Sequence, residues 1–143
     1  MLSLAPSNRP LCIIGESDPF LARLLQRFAE KSGFEVQVAQ TGEEVLDLIH
    51  QTLPALLILE PELPGKVRGW EVASPFQSTI PTLICSWMKK RQAQALVGQI
   101  SAYLQKPDLR YEDFTQALKS AVKPRNNRKK RTGARLKSKA APD

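Results

Sequence analysis

The stretch Ala55-Leu56-Leu57-Ile58-Leu59, closed by Glu60-Pro61, decides how this chain is read. Its apolar residues run without a break. A strand with one wet face alternates apolar and polar residues, whereas an unbroken run suits a central parallel strand covered on both faces. Pro61, Pro64 and Gly65 then predict a loop. Working outward, Leu11-Cys12-Ile13-Ile14-Gly15 and Thr82-Leu83-Ile84-Cys85-Ser86 are two more runs of the same kind. Phe34 to Val38 alternates, and Ile100 to Gln105 predicts a fifth strand.

Helical patterns fill the gaps. Asp18 is an N-cap residue with Pro19 at the first helical position. Phe20, Leu21, Leu24, Leu25 and Phe28 follow at helical spacing, until Ser32-Gly33 supplies a stop. Thr41-Gly42-Glu43-Glu44 is a capping box that opens a helix carrying Val45, Leu46, Leu48, Ile49 and Leu53, ended by Pro54. Residues 66–80 are weakly patterned, with Trp70, Val72 and Phe76 on one short helix. A polar helix over 88–99 starts at Lys89-Lys90-Arg91, where cations oppose the helix dipole. A last helix over 111–122 turns Phe114, Ala117, Leu118 and Val122 inward. Five alternations predict an open, five-stranded parallel α/β sheet, doubly wound, with right-handed crossovers.

Composition agrees with one such domain. The chain has 143 residues, 42% of them hydrophobic, and 2 cysteines, which excludes a fully disordered chain and a disulfide scaffold. No apolar run approaches the roughly 20 residues that cross a bilayer. Residues 1–10 read as a short flexible lead rather than a signal peptide, so a soluble cytoplasmic protein is expected. The net charge of +7 is unevenly placed. Lys123, Arg125, Arg128, Lys129, Lys130, Arg131, Arg135, Lys137 and Lys139 face a single acid, Asp143, which gives residues 123–143 a charge of +8. The remainder carries 12 basic and 13 acidic residues and is nearly neutral at −1. With one large aliphatic, Leu136, and no aromatic, the tail is expected to be disordered alone and to bind polyanions without base stacking.

Sites in open α/β sheets form outside the carboxyl ends of the strands. Glu16, Ser17 and Asp18 follow the first strand here, Glu60 the third, Ser86 and Trp87 the fourth, and Lys106-Pro107 the fifth. These residues, in this order, resemble the receiver domain of two-component response regulators, the flavodoxin- or CheY-like fold, from about Leu11 to Val122. The resemblance implies an acidic pair that helps bind Mg²⁺, onto which Ser17-Asp18 falls. It places Glu60 at the phosphoacceptor, Ser86 at the hydroxyl position, Tyr103 at the switch aromatic and Lys106 at the invariant-type lysine. It also implies a signalling protein of bacterial type that binds protein partners, often through the fourth helix, fifth strand and fifth helix.

The departures from that pattern shape the expected function. Glu60 replaces the aspartate and carries its carboxylate about 1.5 Å further out. Ser17 removes one hard oxygen ligand, so Mg²⁺ binding is expected to be weak or absent, with no other cofactor or metal. Glu62 could restore charge, although the resemblance assigns that position a backbone carbonyl. Trp87 could cover the pocket, and Lys66 and Arg68 are placed near the acids. The pocket Glu16, Ser17, Asp18, Glu60, Ser86 and Lys106, with Tyr103 and Trp87 as switch residues, therefore reads as a degenerate receiver with no catalytic residue. Glu60 is then a vestigial carboxylate paired with Lys106, a mimic of the phosphorylated state that reaches Lys106 and Ser86 and holds Tyr103 inward, or still an acceptor. Cys12 and Cys85 are expected as buried free thiols, and His50 has no partner that would make it a ligand.

Three functions compete. One is a stand-alone, phosphorylation-independent adaptor that binds a protein through its folded face and a polyanion through its tail. The second is a nucleic-acid-associated protein whose tail binds RNA or DNA. The third is a working response regulator. The chain as given leaves no room for a DNA-reading domain after the receiver-like part.

Overall fold

A computed structural model describes residues 8–122. The basic tail lies wholly outside the described residues, as do residues 1–7 of the lead. Pro10, the last residue of the lead, is tied to the sheet: its carbonyl accepts from Glu35 N at 2.9 Å.

Strands and helices alternate as β1 (Leu11–Gly15), α1 (Pro19–Lys31), β2 (Glu35–Ala39), α2 (Gly42–Gln51), β3 (Leu56–Leu59), α3 (Gly69–Phe76), β4 (Thr82–Ser86), α4 (Lys90–Val97), β5 (Tyr103–Gln105) and α5 (Tyr111–Ala121). Every pairing is parallel, in the order β2-β1-β3-β4-β5. The doubly wound α/β fold is therefore the one the apolar runs predict.

Alternation of side chains across the sheet explains the two cores. Cys12, Ile14, Leu56, Ile58, Leu83, Cys85 and Leu104 point to one face, where Leu21 and Leu25 of α1 and Phe114 and Ala117 of α5 cover them. Ile13, Leu57, Leu59 and Ile84 point to the other, against Val45 and Ile49 of α2, Val72 and Ala73 of α3, and Ala93 and Val97 of α4. All of β3 is buried, as an unbroken apolar run requires.

Several local expectations change. Phe20 is 74% exposed, because it lies in the first turn of α1 on the side away from the sheet. Leu53 falls past the end of α2 and Val122 past the end of α5, and both are exposed. Trp70 faces outward while Val72 is buried, so the short α3 turns a different stripe inward than expected. The fifth strand is only Tyr103–Gln105; Ile100 and Ala102 are buried by packing ahead of it. The helix expected over 88–99 is shortened to Lys90–Val97 by Gly98, at φ +86°.

The sheet ladders carry the chain into the site. Glu16 N donates to Ala39 O at 3.1 Å, Glu60 N to Gly15 O at 3.0 Å, and Lys106 N to Ser86 O at 2.8 Å. Each strand thus hands over its first residue beyond the sheet in register with its neighbour. Gly69 completes the frame: a side chain there would collide with the Glu60 carbonyl, so the start of α3 can press against the end of β3.

Candidate functional site

Glu16, Glu60 and Lys106 meet at the carboxyl edge of the sheet, all buried. Lys106 Nζ lies 2.8 Å from Glu16 Oε1 and 3.5 Å from Glu60 Oε2. Burial alone would push the ammonium down, but Glu16 and Glu60 outweigh it and hold Lys106 above the ordinary lysine range. Burial pushes the Glu16 carboxyl up to about 6, against the pull of Lys106 and of the Asp18 amide. The remaining oxygens are also taken. Glu16 Oε2 accepts from Asp18 N at 3.0 Å. Glu60 Oε1 accepts from both Ser17 N and Ser17 Oγ at 3.0 Å.

Asp18 is not part of this cluster. Its carboxylate caps α1, accepting from Phe20 N at 2.8 Å and Leu21 N at 3.2 Å, and the residue is exposed. The expected acidic pair is thus shifted by one: Glu16 turns in, Ser17 serves Glu60, and Asp18 serves the helix. The cap and the pocket compete for the same short turn, and the orphan amides of α1 claim Asp18.

Ser86 is buried at the end of β4, but Glu60 does not reach it. The Ser86 hydroxyl donates instead to Glu62 Oε2 at 2.8 Å and accepts from Met88 N at 3.0 Å. The Glu62 side chain is the functional-site residue that sequence reasoning missed. A carboxylate in an otherwise apolar and proline-rich loop was the only signal for it. Glu62 Oε1 and the Tyr103 hydroxyl are both buried without a hydrogen-bond partner. Burial pushes the Tyr103 phenol up, with the Ser86 hydroxyl and the Glu62 carboxylate beside it.

The rim departs from expectation in one place and follows it in another. Lys66 and Arg68 are exposed, and their loop is fixed by backbone contacts, Lys66 N to Glu43 Oε1 at 3.0 Å and Arg68 N to Glu71 Oε1 at 2.7 Å. Trp87 lies with its ring centroid 5.8 Å from Lys106 Nζ, close enough for a cation–π contact, while 54% exposed. It covers the ammonium from the solvent side. Cys12 and Cys85 are free and buried, on strands separated by β3, and burial pushes both thiols up. His50 is exposed in the last turn of α2.

The response regulator receiver domain profile matches residues 12–119, which takes in every strand end described above. The chain belongs to the response regulator receiver domain family. This receiver is 25% identical over 103 residues to hybrid signal transduction histidine kinase C of Dictyostelium discoideum, covering 72% of this chain but only 8% of that protein. A Chloroflexus aurantiacus structure of the response-regulator class superposes with a TM-score of 0.71 at 25% identity, covering 82% of this chain and 100% of that one. A CheY-like receiver from Methanospirillum hungatei shares the fold at a TM-score of 0.69 and 18% identity, covering 86% and 98%. Among the described residues no helix is long and apolar enough to cross a membrane.

Proposed function

We propose that this receiver works as a signalling module by contact alone, without phosphoryl transfer or a divalent cation. The carrying observation is that the ammonium of Lys106 sits between the carboxylates of Glu16 and Glu60, where a receiver would gather charge around a metal and a phosphoryl group. Mg²⁺ requires near-octahedral oxygen ligands at about 2.0–2.1 Å. Both oxygens of Glu16 and of Glu60 already face protein donors, and among the described residues no cluster of three or more metal-ligating side chains is disposed to hold a metal. These residues do not fit the cation. Glu60 stands as a partner of Ser17 and Lys106, neither free to attack nor in contact with Ser86.

The folded face offers a protein partner an open groove of about 480 Å³ along β5 and α5, lined among others by Tyr103, Gln105, Asp108, Asp113 and Gln116. Residues 123–143, with their charge of +8, supply a second, electrostatic contact to a polyanionic surface. Cytoplasmic placement goes with this reading. Incubation with a small phosphodonor and Mg²⁺, read by intact mass, tests the reading. Wild type is expected to stay unlabelled. Stable labelling at Glu60 would make it a working regulator.

A further inference from the structure

We infer that Glu62 is a positioning residue that holds Tyr103 in its inward orientation through Ser86, and so sets the wall of the groove along β5 and α5. The inference rests on the phosphorylation-independent reading of the pocket. Glu62 lies in the loop between β3 and α3, two residues beyond the acceptor position. Its Oε2 takes the Ser86 hydroxyl proton at 2.8 Å, which leaves the Ser86 lone pairs to accept from Met88 N at 3.0 Å. One carboxylate therefore ties the β3–α3 loop to the β4–α4 loop.

Tyr103 completes the arrangement. It sits in register with Ile84, two residues before Ser86 on the neighbouring strand. Its hydroxyl is buried beside Ser86 and Glu62, while other atoms of the residue line the groove. A buried phenol without a partner costs about 1–3 kcal/mol unless an acceptor is in reach. Glu62 Oε1 is a buried acceptor with no donor, on the same side as that phenol. The two orphans complement each other, as donor and acceptor, and both return to water if Tyr103 swings out. The inward state is stable only while Glu62 is held in place by Ser86. Lys106 has no part in this, being engaged by Glu16 and Glu60.

The test uses the full chain labelled with 3-fluorotyrosine, which gives two ¹⁹F resonances because the chain has 2 tyrosines. The H₂O/D₂O isotope shift of the Tyr103 resonance reports its exposure. Glu62→Ala is expected to raise that shift towards the value of the urea-unfolded chain, while Glu60→Ala leaves it unchanged. Glu62→Gln, which still accepts from Ser86, is expected to keep the wild-type shift. Tyr111, packed against Phe28 at 5.5 Å, serves as the folding control. If Glu62→Ala unfolds the chain, Ser86→Ala breaks the same bond from the other side and decides the matter. An unchanged Tyr103 shift in the folded Glu62→Ala or Ser86→Ala variant overturns the inference, as does an equal change in Glu60→Ala. Either result leaves the phosphodonor test of the pocket untouched, so the two readings fail separately.

Discussion

Replacing Lys106 by Met removes the only ammonium in the buried cluster and leaves the carboxylates of Glu16 and Glu60 facing each other across its place. Removing one partner of a buried ion pair costs about 3–5 kcal/mol, because the other charge stays behind unpaired. Against a total stability of roughly 5–15 kcal/mol this is a large loss, and at about 3–4 °C per kcal/mol it lowers Tm by roughly 10–20 °C. The loss depends on pH, and Glu16 sets the sign. Its folded value of about 6 stands above the ordinary 4.5, so between these values the folded chain binds more protons than the unfolded one. Stability therefore falls as pH rises through that window, by roughly 2 kcal/mol for a shift of this size. Without Lys106 nothing offsets the burial of Glu16, and the window extends upward. The deficit of Lys106→Met is then smaller at pH 5, where Glu16 is protonated, than at pH 8, where it must be charged or take up a proton. Urea unfolding of both proteins at the two pH values measures this. A deficit below about 1 kcal/mol, or one of equal size at both pH values, would refute the reasoning, since a buried pair cannot be both energetically silent and coupled to a proton.

Other expectations follow from the same geometry. Glu16→Gln removes the titrating group, so the decline in stability between pH 4.5 and 6 should flatten in urea titrations. Asp18→Ala should cost about 1 kcal/mol as a lost helix cap. It should leave the ¹⁵N shifts of Lys106 and Glu60 in place, because Asp18 only caps. Gly69→Ala should destabilise by about 1–3 kcal/mol, measured by thermal unfolding, since the new methyl meets the Glu60 carbonyl rather than a side chain that can yield. Deleting residues 123–143 should abolish retention on heparin and leave the circular dichroism spectrum of the fold unchanged. In the full chain, binding to duplex DNA should weaken with salt by about 0.9 in log K per log salt for each phosphate contacted.

The fold was legible because its signals are long and redundant. Three apolar runs, at 11–15, 55–59 and 82–86, and two capped helices admit few arrangements besides a parallel sheet. The location of the site was legible for the same reason, since parallel strands deliver their final residues to one edge. Side-chain partners were not legible. Glu16 and Asp18 are both carboxylates within one turn, and only the competition of the α1 amides decides which turns outward. Glu60 and Glu62 lie two residues apart in a loop without a period. Which of them meets Ser86 depends on loop geometry that residue types do not encode. The weak segments were those where packing overrides pattern: the eight-residue α3, with Pro75 in its last turn, and the three-residue β5.

The central claim is that Lys106, Glu16, Glu60 and Ser17 satisfy one another and leave no seat for a cation and a phosphoryl group. A titration of the ¹⁵N-labelled chain with Mg²⁺ and then beryllofluoride, a phosphoryl analogue, measures it most directly. The account predicts that the amide signals of Glu60, Ser86, Tyr103 and Lys106 stay in place at millimolar concentrations of both. Saturable shifts at Glu60, Ser86 and Lys106, dependent on Mg²⁺, would contradict it.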